Sequence, residues 1–420
     1  MSTVLTISLG IVTMACILYR TTVSTEQHVQ PMQLMQPMRT TQLMQPMRTT
    51  QLTQPMRTTR PMQLMQPMRT TQPMRTSTTA TAAESHKSKP VMQKASRTLV
   101  EWTKLYKNMP LIDAHNHSAA NQAYKWNLEM MWDPYGVDKV VIFGDVSKPS
   151  AVQTDKYAWE AYEQYPDRFI PFSSGINLLA RSGLKTVKHN LEQGYFGIGE
   201  LAIASTYSEV LGGSIWKTKH PMDGVLPDIY ALCAQYKVPI LMHIDPPEGM
   251  PMLKLEDAVK QNPETIFIFA HINAYNSPSK IRALMKKHSN VYADFYAGYT
   301  VFDPSSTYKL EDFVPLMKEF PERFLLSTDS GYGLVSEKKA IEAIYILIDM
   351  LDNRELALQI TAGNMERLIR KQPATQTQLA ALRQLESRTG KQYDLKKLNK
   401  VDAGRLLIEE SKRHTREPLK

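Results

Sequence analysis

An α/β architecture, a closed (β/α)8 TIM barrel spanning residues 98–371, is what the sequence predicts, and three observations predict it. From about Thr98 onward short apolar runs alternate with helix-like segments. Eight such runs follow one another, and several end in a His, Asp or Glu. Strands that alternate with amphipathic helices imply a parallel sheet, and eight copies of that unit close it into a barrel.

In order, the runs are PLIDAHNH (110–117), KVVIFGD (139–145), RFIPFSSGIN (168–177), YFGIGELA (195–202), VPILMHID (238–245), TIFIFAHIN (265–273), VYADFYAG (291–298) and FLLSTDSG (324–331). Between them lie stretches such as LPDIYALCAQYK (226–237) and SPSKIRALMKKHS (277–289), the second opened by a Ser in capping position. SEKKAIEAIYILIDML and RELALQITAGNMERLIRK supply the closing helices. Residues 372–420 read as a helical extension, with Leu379, Leu382 and Leu385 at helical spacing and a second helix over about 401–410. Its TG…DL..L.K..A..LI pattern resembles short helical modules appended to bacterial and phage proteins, which implies docking or packing and no chemistry.

The region before the barrel has a different composition. Residues 3–19, TVLTISLGIVTMACILY, are uncharged and mostly apolar, yet shorter than the roughly 20 residues that span a bilayer comfortably. Residues 1–20 therefore suit a signal-peptide core or a short membrane anchor, and export or anchoring is the expected localisation, with the cytoplasm the alternative. No Lys or Arg precedes this segment, and TMAC is a degenerate lipoprotein site. A nine-residue repeat follows, QLMQPMRTT at 33–41, 42–50 and 63–71 and QLTQPMRTT at 51–59. A Pro in every copy forbids a continuous helix, and Met is nearly the only large apolar residue, so 21–97 reads as a disordered linker. Its thioethers would suit Cu(I), but no Cys or His accompanies them in the repeat.

The formal net charge of +9 belongs to the two ends of the chain. The first 90 residues hold nine basic and two acidic side chains and the last 50 hold twelve and six, which leaves residues 91–370 at −4. The basic pI therefore says nothing about the barrel, and no nucleic-acid partner is expected. Only two cysteines, Cys16 and Cys233, are present, so no disulfide framework exists.

Chemistry gathers at the carboxyl ends of the runs, the end where barrels carry their active sites. His115 and His117 stand two residues apart, on one face of a strand. His243 ends the fifth run, His271 the sixth and Asp329 the eighth, while Glu200 lies in the fourth. Each alone reads equally well as a hydrogen-bonded strand end. Together, imidazoles and carboxylates converging on one apolar mouth would repel or lie unpaired unless a cation organised them. Such ligands suit Zn²⁺ first, then Mn²⁺, Fe²⁺ or Co²⁺. Asp113, one step deeper on the same face, is expected to orient a ligand His.

IDAHNH, the His at the ends of the fifth and sixth runs, the Asp of the eighth and TAGNMERLI (361–369) together resemble the amidohydrolase superfamily, in its amidohydrolase-2 branch, over about residues 108–371. The resemblance implies His115, His117, His243 and Asp329 as metal ligands and His271 near a small-molecule substrate. Glu200 would lie beside the metal or hold a second ion, so one ion is expected, or two if Glu200 bridges. It also implies a hydrolase in which the metal lowers the pKa of a bound water for attack on a carbonyl carbon, with Asp329 moving the proton and His271 steadying the oxyanion. Two other readings stand beside it: a decarboxylase or hydratase of the same superfamily, for which Arg181 is the one obvious extra cation, and a catalytically silent binding module. Trp126, Trp132 and Tyr135 after the first run, with STYSEV, DPPEGM and AGYTVFDP after the fourth, fifth and seventh, suggest an aromatic-walled pocket.

Overall fold

The computed structural model of the chain describes residues 97–205, 208, 211–243 and 252–416. The apolar segment, the nonapeptide repeats and most of STYSEV and DPPEGM lie outside them. Eight strands form where the eight runs stand: β1 (Ile112–Asn116), β2 (Lys139–Ile142), β3 (Phe169–Ser173), β4 (Gly197–Leu201), β5 (Pro239–Met242), β6 (Ile266–Phe269), β7 (Val291–Tyr296) and β8 (Phe324–Ser327). They pair in parallel in the order β1 to β8. Almost every strand residue is buried, and burial on both faces is why the runs read as continuous apolar stretches and not as alternating ones.

The strands are shorter than the runs at their carboxyl ends. β5 stops at Met242, β6 at Phe269 and β8 at Ser327, so His243, His271 and Asp329 stand just beyond the ladder. The backbone gives the reason for two of them. His271 and Asp329 have φ of 36° and 46°, left-handed values that no strand can continue.

Helix α1 (Leu99–Leu105) precedes the barrel and is opened by a capping box, in which Thr98 and Glu101 satisfy each other's backbone N–H groups. The outer ring is α2 (Ala151–Gln164), α3 (Arg181–Gln193), α4 (Leu226–Tyr236), α5 (Met252–Gln261), α6 (Pro278–Lys287), α7 (Leu310–Glu319) and α8 (Glu337–Leu351), one after each of β2 to β8. Ser277 caps α6 by accepting from the Lys280 N–H at 3.2 Å, as its sequence suggests. Between β1 and β2 there are only short helical turns. Trp102 of α1, Tyr106 at its carboxyl cap and Tyr345 of α8 stack in series.

β8 and β1 lie side by side, but side chains join them where the other neighbours share a backbone ladder. The Asp113 carboxylate accepts from the Thr328 N–H at 2.9 Å and from the Thr328 hydroxyl at 2.6 Å. Asn116 donates to Asp113 and to Glu337, each at 2.9 Å, and Glu337 also accepts from Trp132 Nε1 at 2.8 Å. The barrel is thus closed through a buried polar seam.

Two further helices, α9 (Asn364–Arg370) and α10 (Gln376–Thr389), lead to α11 (Lys400–Arg416). The described residues form one compact unit, extension included. Leu382, Leu385 and Ala403 form a small core between α10 and α11, and Leu379 is packed against it. The extension is tied to the amino end of β4: Gln372 donates to the Phe196 carbonyl at 2.7 Å and Lys400 Nζ to the Tyr195 carbonyl at 3.0 Å. Among the described residues, no helix is long and apolar enough to cross a membrane.

Lys400 is fully buried, with no carboxylate within ion-pairing distance among the described residues. Burial pushes its ammonium down from 10.5 to about 7. A base with a depressed folded pKa costs the native state most below that pKa, and the cost fades as the unfolded chain also loses its proton. Lys400→Met is therefore expected to stabilise the chain at pH 7 by on the order of a few kcal/mol. That advantage should shrink strongly by pH 10, as read by denaturant unfolding of both proteins at the two pH values.

Candidate metal centre

The six residues singled out in the sequence meet at the carboxyl end of the barrel. They sort into two groups, His115 with His117 and Asp329, and Glu200 with His243 and His271, and within each group one ligand atom per residue lies within 4.8 Å of the others. In the first group the two histidine Nε2 atoms are 3.1 Å apart, and Asp329 Oδ1 is 3.3 Å from His115 Nε2 and 3.6 Å from His117 Nε2. In the second, Glu200 Oε1 is 2.9 Å from His243 Nδ1 and 3.6 Å from His271 Nε2, with those two nitrogens 3.2 Å apart. Glu200 spans both groups, because its Oε2 stands 3.6 Å from His115 Nε2 and from His117 Nε2. His243, which the resemblance implies as a metal ligand together with His115 and His117, has Glu200 Oε1 at 2.9 Å and His271 Nε2 at 3.2 Å from its Nδ1.

Local backbone chemistry sets these positions. Gly199, at φ 125°, lies where a Cβ would meet the Leu241 carbonyl oxygen at 2.3 Å, so only glycine lets β4 approach β5 closely just before Glu200. Gly144 offers its carbonyl oxygen to His117 Nδ1 at 2.8 Å. The Phe143 ring packs against both β1 imidazoles, at centroid distances of 5.1 and 4.7 Å.

Those partners fix the protons. His117 Nδ1 faces a carbonyl oxygen, which only accepts, so Nδ1 carries the hydrogen and a neutral His117 presents a bare Nε2. His115 Nδ1 is 2.7 Å from the Asp294 carboxylate, with the same consequence. When both rings are neutral, two bare lone pairs 3.1 Å apart cannot bond to each other and need a proton or a cation between them. Two nitrogens held at ~2.0–2.1 Å by one tetrahedral ion stand about 3.3 Å apart, so the donor set fits a divalent cation.

The charges agree with that fit. Burial drives the His115 pKa down, yet Asp329, Glu200 and Asp294 together raise it well above its ordinary value. Burial raises the Glu200 carboxyl, but His115 and His243 hold it well below the usual carboxylate range. Asp329 is lowered as well: His115, His117 and His271 outweigh its burial. The cluster sets buried carboxylates against imidazoles, and positive charge at its centre, a proton or a cation, is favoured there.

Asp294 was not anticipated. It sits in VYADFYAG near the carboxyl end of β7, a charge inside an apolar strand, and the criterion that singles out the other six applies to it equally. Asp113 has a different place from the expected one. Its carboxylate reaches the His115 backbone N–H at 3.2 Å, but its strongest bonds go to Thr328, and Asp294 is the group that orients the imidazole. A residue one step deeper in β1 faces the neighbouring strand β8, not the ring above it.

The aromatic wall is only partly as expected. Trp132 is fully buried and bonded to Glu337, Tyr135 is half-buried beneath the Lys338 ammonium, and Trp126 alone of the three is exposed. AGYTVFDP forms a short helical turn over Ala297–Phe302. Arg181 lies exposed on the first turn of α3.

Asp113→Ala is expected to cost about 2–5 kcal/mol, because Thr328 N–H and the Asn116 amide would lose their acceptor in a buried seam. Urea unfolding of the variant measures it. Loss below 0.5 kcal/mol would show that the seam does not depend on this carboxylate.

An eight-stranded parallel barrel with imidazoles and carboxylates gathered at its carboxyl mouth defines the class of metal-dependent TIM-barrel enzymes. The sequence model of the amidohydrolase family matches residues 112–350, more than half of the chain, and the protein belongs to that family. Its members are enzymes that bind divalent metals. No curated protein matches the chain. Among solved structures, an uncharacterised TIM-barrel protein from Bordetella bronchiseptica is similar at 19% identity and a TM-score of 0.47, over 62% of this chain and 98% of its own. A probable 2-pyrone-4,6-dicarboxylic acid hydrolase from Acinetobacter baumannii with citric acid bound is similar at 14% identity and a TM-score of 0.43, over 62% and 99%. A 2,6-dihydroxybenzoate decarboxylase complexed with 2,6-dihydroxybenzoate gives 11% identity and a TM-score of 0.43, over 62% and 98%.

Proposed function

We propose that the protein is a metal-dependent hydrolase acting on the carbonyl carbon of a small-molecule amide, ester or lactone, with two cation positions joined by Glu200. The observation that carries this reading is the split carboxylate. One Glu200 oxygen faces His115 and His117, and the other faces His243 and His271. A residue serving one ion would have no use for the second set of contacts. His115, His117 and Asp329 would hold the first ion, and His243 and His271 the second, with Zn²⁺ the first ion to test.

When bound, the metal supplies Lewis-acid charge and lowers the pKa of water toward about 7. The chain's own residues then divide the remaining tasks. Asp329, ionised and at the mouth of the barrel, accepts a proton from the attacking water and returns it to the leaving group. His271 lies beside Glu200 and His243, where it would help to hold the second ion. Phe143 and the buried strand ends keep bulk water from His115, which strengthens its interactions, while His117 stays open to the barrel mouth.

Elemental analysis of Zn²⁺-dialysed protein should give close to two equivalents per chain, falling to about one in His243→Ala. Hydrolysis of a panel of esters, lactones and amides should fall at least 10³-fold in Asp329→Asn while the fold persists by circular dichroism. Full activity in a metal-free His115→Ala protein would sink the proposal. Release of CO₂ from carboxylated aromatics, with no hydrolysis of any panel member, would replace it by the decarboxylase reading.

A further inference from the structure

We infer that Asp294 of β7 is a positioning residue that serves both groups of ligands through one oxygen, an inference that rests on reading the six residues above as cation ligands. Asp294 Oδ2 accepts from His115 Nδ1–H at 2.7 Å and from the backbone N–H of His271 at 3.3 Å. The first bond holds His115 in the tautomer whose Nε2 is bare and stops its ring from turning. The second falls on a residue held at φ 36°. A left-handed backbone costs energy at any residue but glycine and persists only where its surroundings over-determine it. The same oxygen therefore fixes a ligand of the His115 group and the backbone that carries a ligand of the Glu200 group.

Packing alone does not account for a charge here. Asp294 is fully buried, and its Oδ1 has no hydrogen-bond partner among the described residues. A half-satisfied carboxylate in a dry interior is a poor stabilising device, and an amide of the same shape would relieve its desolvation. What the amide cannot do is favour a proton on His115 Nδ1 as strongly. A carboxylate only accepts there, whereas an amide can turn its NH₂ toward the ring and select the opposite tautomer.

The test is to strip wild-type and Asp294→Asn protein of metal and titrate each with Zn²⁺ alone against a competing chelator. Visible spectra of the Co²⁺-loaded proteins and denaturant unfolding of the stripped proteins complete the set. The expected result is a stripped Asp294→Asn protein at least as stable as wild type that binds Zn²⁺ roughly 10–100-fold more weakly and shows an altered Co²⁺ spectrum. Wild-type affinity together with a wild-type Co²⁺ spectrum in Asp294→Asn would overturn the inference. ¹⁵N NMR of the histidine side chains in Zn²⁺-loaded wild type needs no variant to fold. His115 is expected to carry its proton on Nδ1, and a proton on Nε2 would overturn the inference as well. Wild type that takes up no Zn²⁺ would overturn the metal reading and this inference with it, whereas uptake equal in both proteins would remove only the role of Asp294.

Discussion

The contact between Asp113 and Thr328 is the constraint on which the site depends. Seven of the eight strand boundaries are secured by backbone ladders. The eighth, between the first strand and the last, is secured by a carboxylate that receives a backbone N–H and a hydroxyl from one threonine. His115 and His117 stand on one bank of that seam and Asp329 on the other, next to the threonine itself. Ser330 adds a further tie by accepting from the His117 N–H at 2.8 Å. The first ligand group is therefore built across the one joint in the barrel that backbone pairing does not hold. Its cost is a pair of buried acids: burial raises Asp113 to about 6 and Glu337 to about 7, and both lie in a network shared with Asn116 and Thr328.

The other bank works by register. Ile198 pairs with Ile240 and Leu201 with Met242, so β4 carries one extra residue against β5 just where Glu200 stands, while β5 and β6 stay in register, Met242 opposite Phe269. Glu200 lies one residue below the Leu201 level, His243 one above it, and His271 two beyond Phe269. A two-residue overshoot would carry an extended chain past the others. At His271 the chain turns into a left-handed conformation instead, which keeps the imidazole at the height of Glu200 and His243. The strain at His271 and Asp329 is the local expense of making six side chains from five strands coincide.

Much of this was legible in the sequence, for a definite reason. Apolar runs bounded by helical stretches report burial on both faces, and polar residues at the same end of such runs are hard to explain unless they meet. That argument places His115, His117, Glu200, His243, His271 and Asp329 in one mouth without coordinates. It does not say which touches which. The division into two groups depends on the two oxygens of Glu200 pointing in different directions, and no spacing encodes that. The partner of Asp113 is hidden for a related cause. Alternation along β1 gives the face of a side chain but not its neighbour, and the neighbour was Thr328, more than 200 residues away in the chain. Asp294 is hidden because a lone acid inside an apolar strand names no partner, and Trp132 because an aromatic after a strand looks the same in sequence whether it lines a mouth or fills a core.

Stability and chemistry occupy opposite ends of the barrel. At the amino end of β4 the extension is fastened by Gln372 and Lys400 to the carbonyls of Phe196 and Tyr195, and Lys400 is buried with no carboxylate at ion-pairing distance among the described residues. At the carboxyl end of the same strand, Glu200 is buried among imidazoles whose charge it needs. β4 thus carries a buried cation's contact at its base and an anion at its top. These two electrostatic burdens differ in kind. The one at the base falls as the pH rises, with no ligand required, whereas the one at the top is relieved only by positive charge among the ligands. A protein that keeps the second burden beside Phe143 has arranged its acids for positive charge, and a cation between the two imidazole nitrogens, which face each other at 3.1 Å, would supply it.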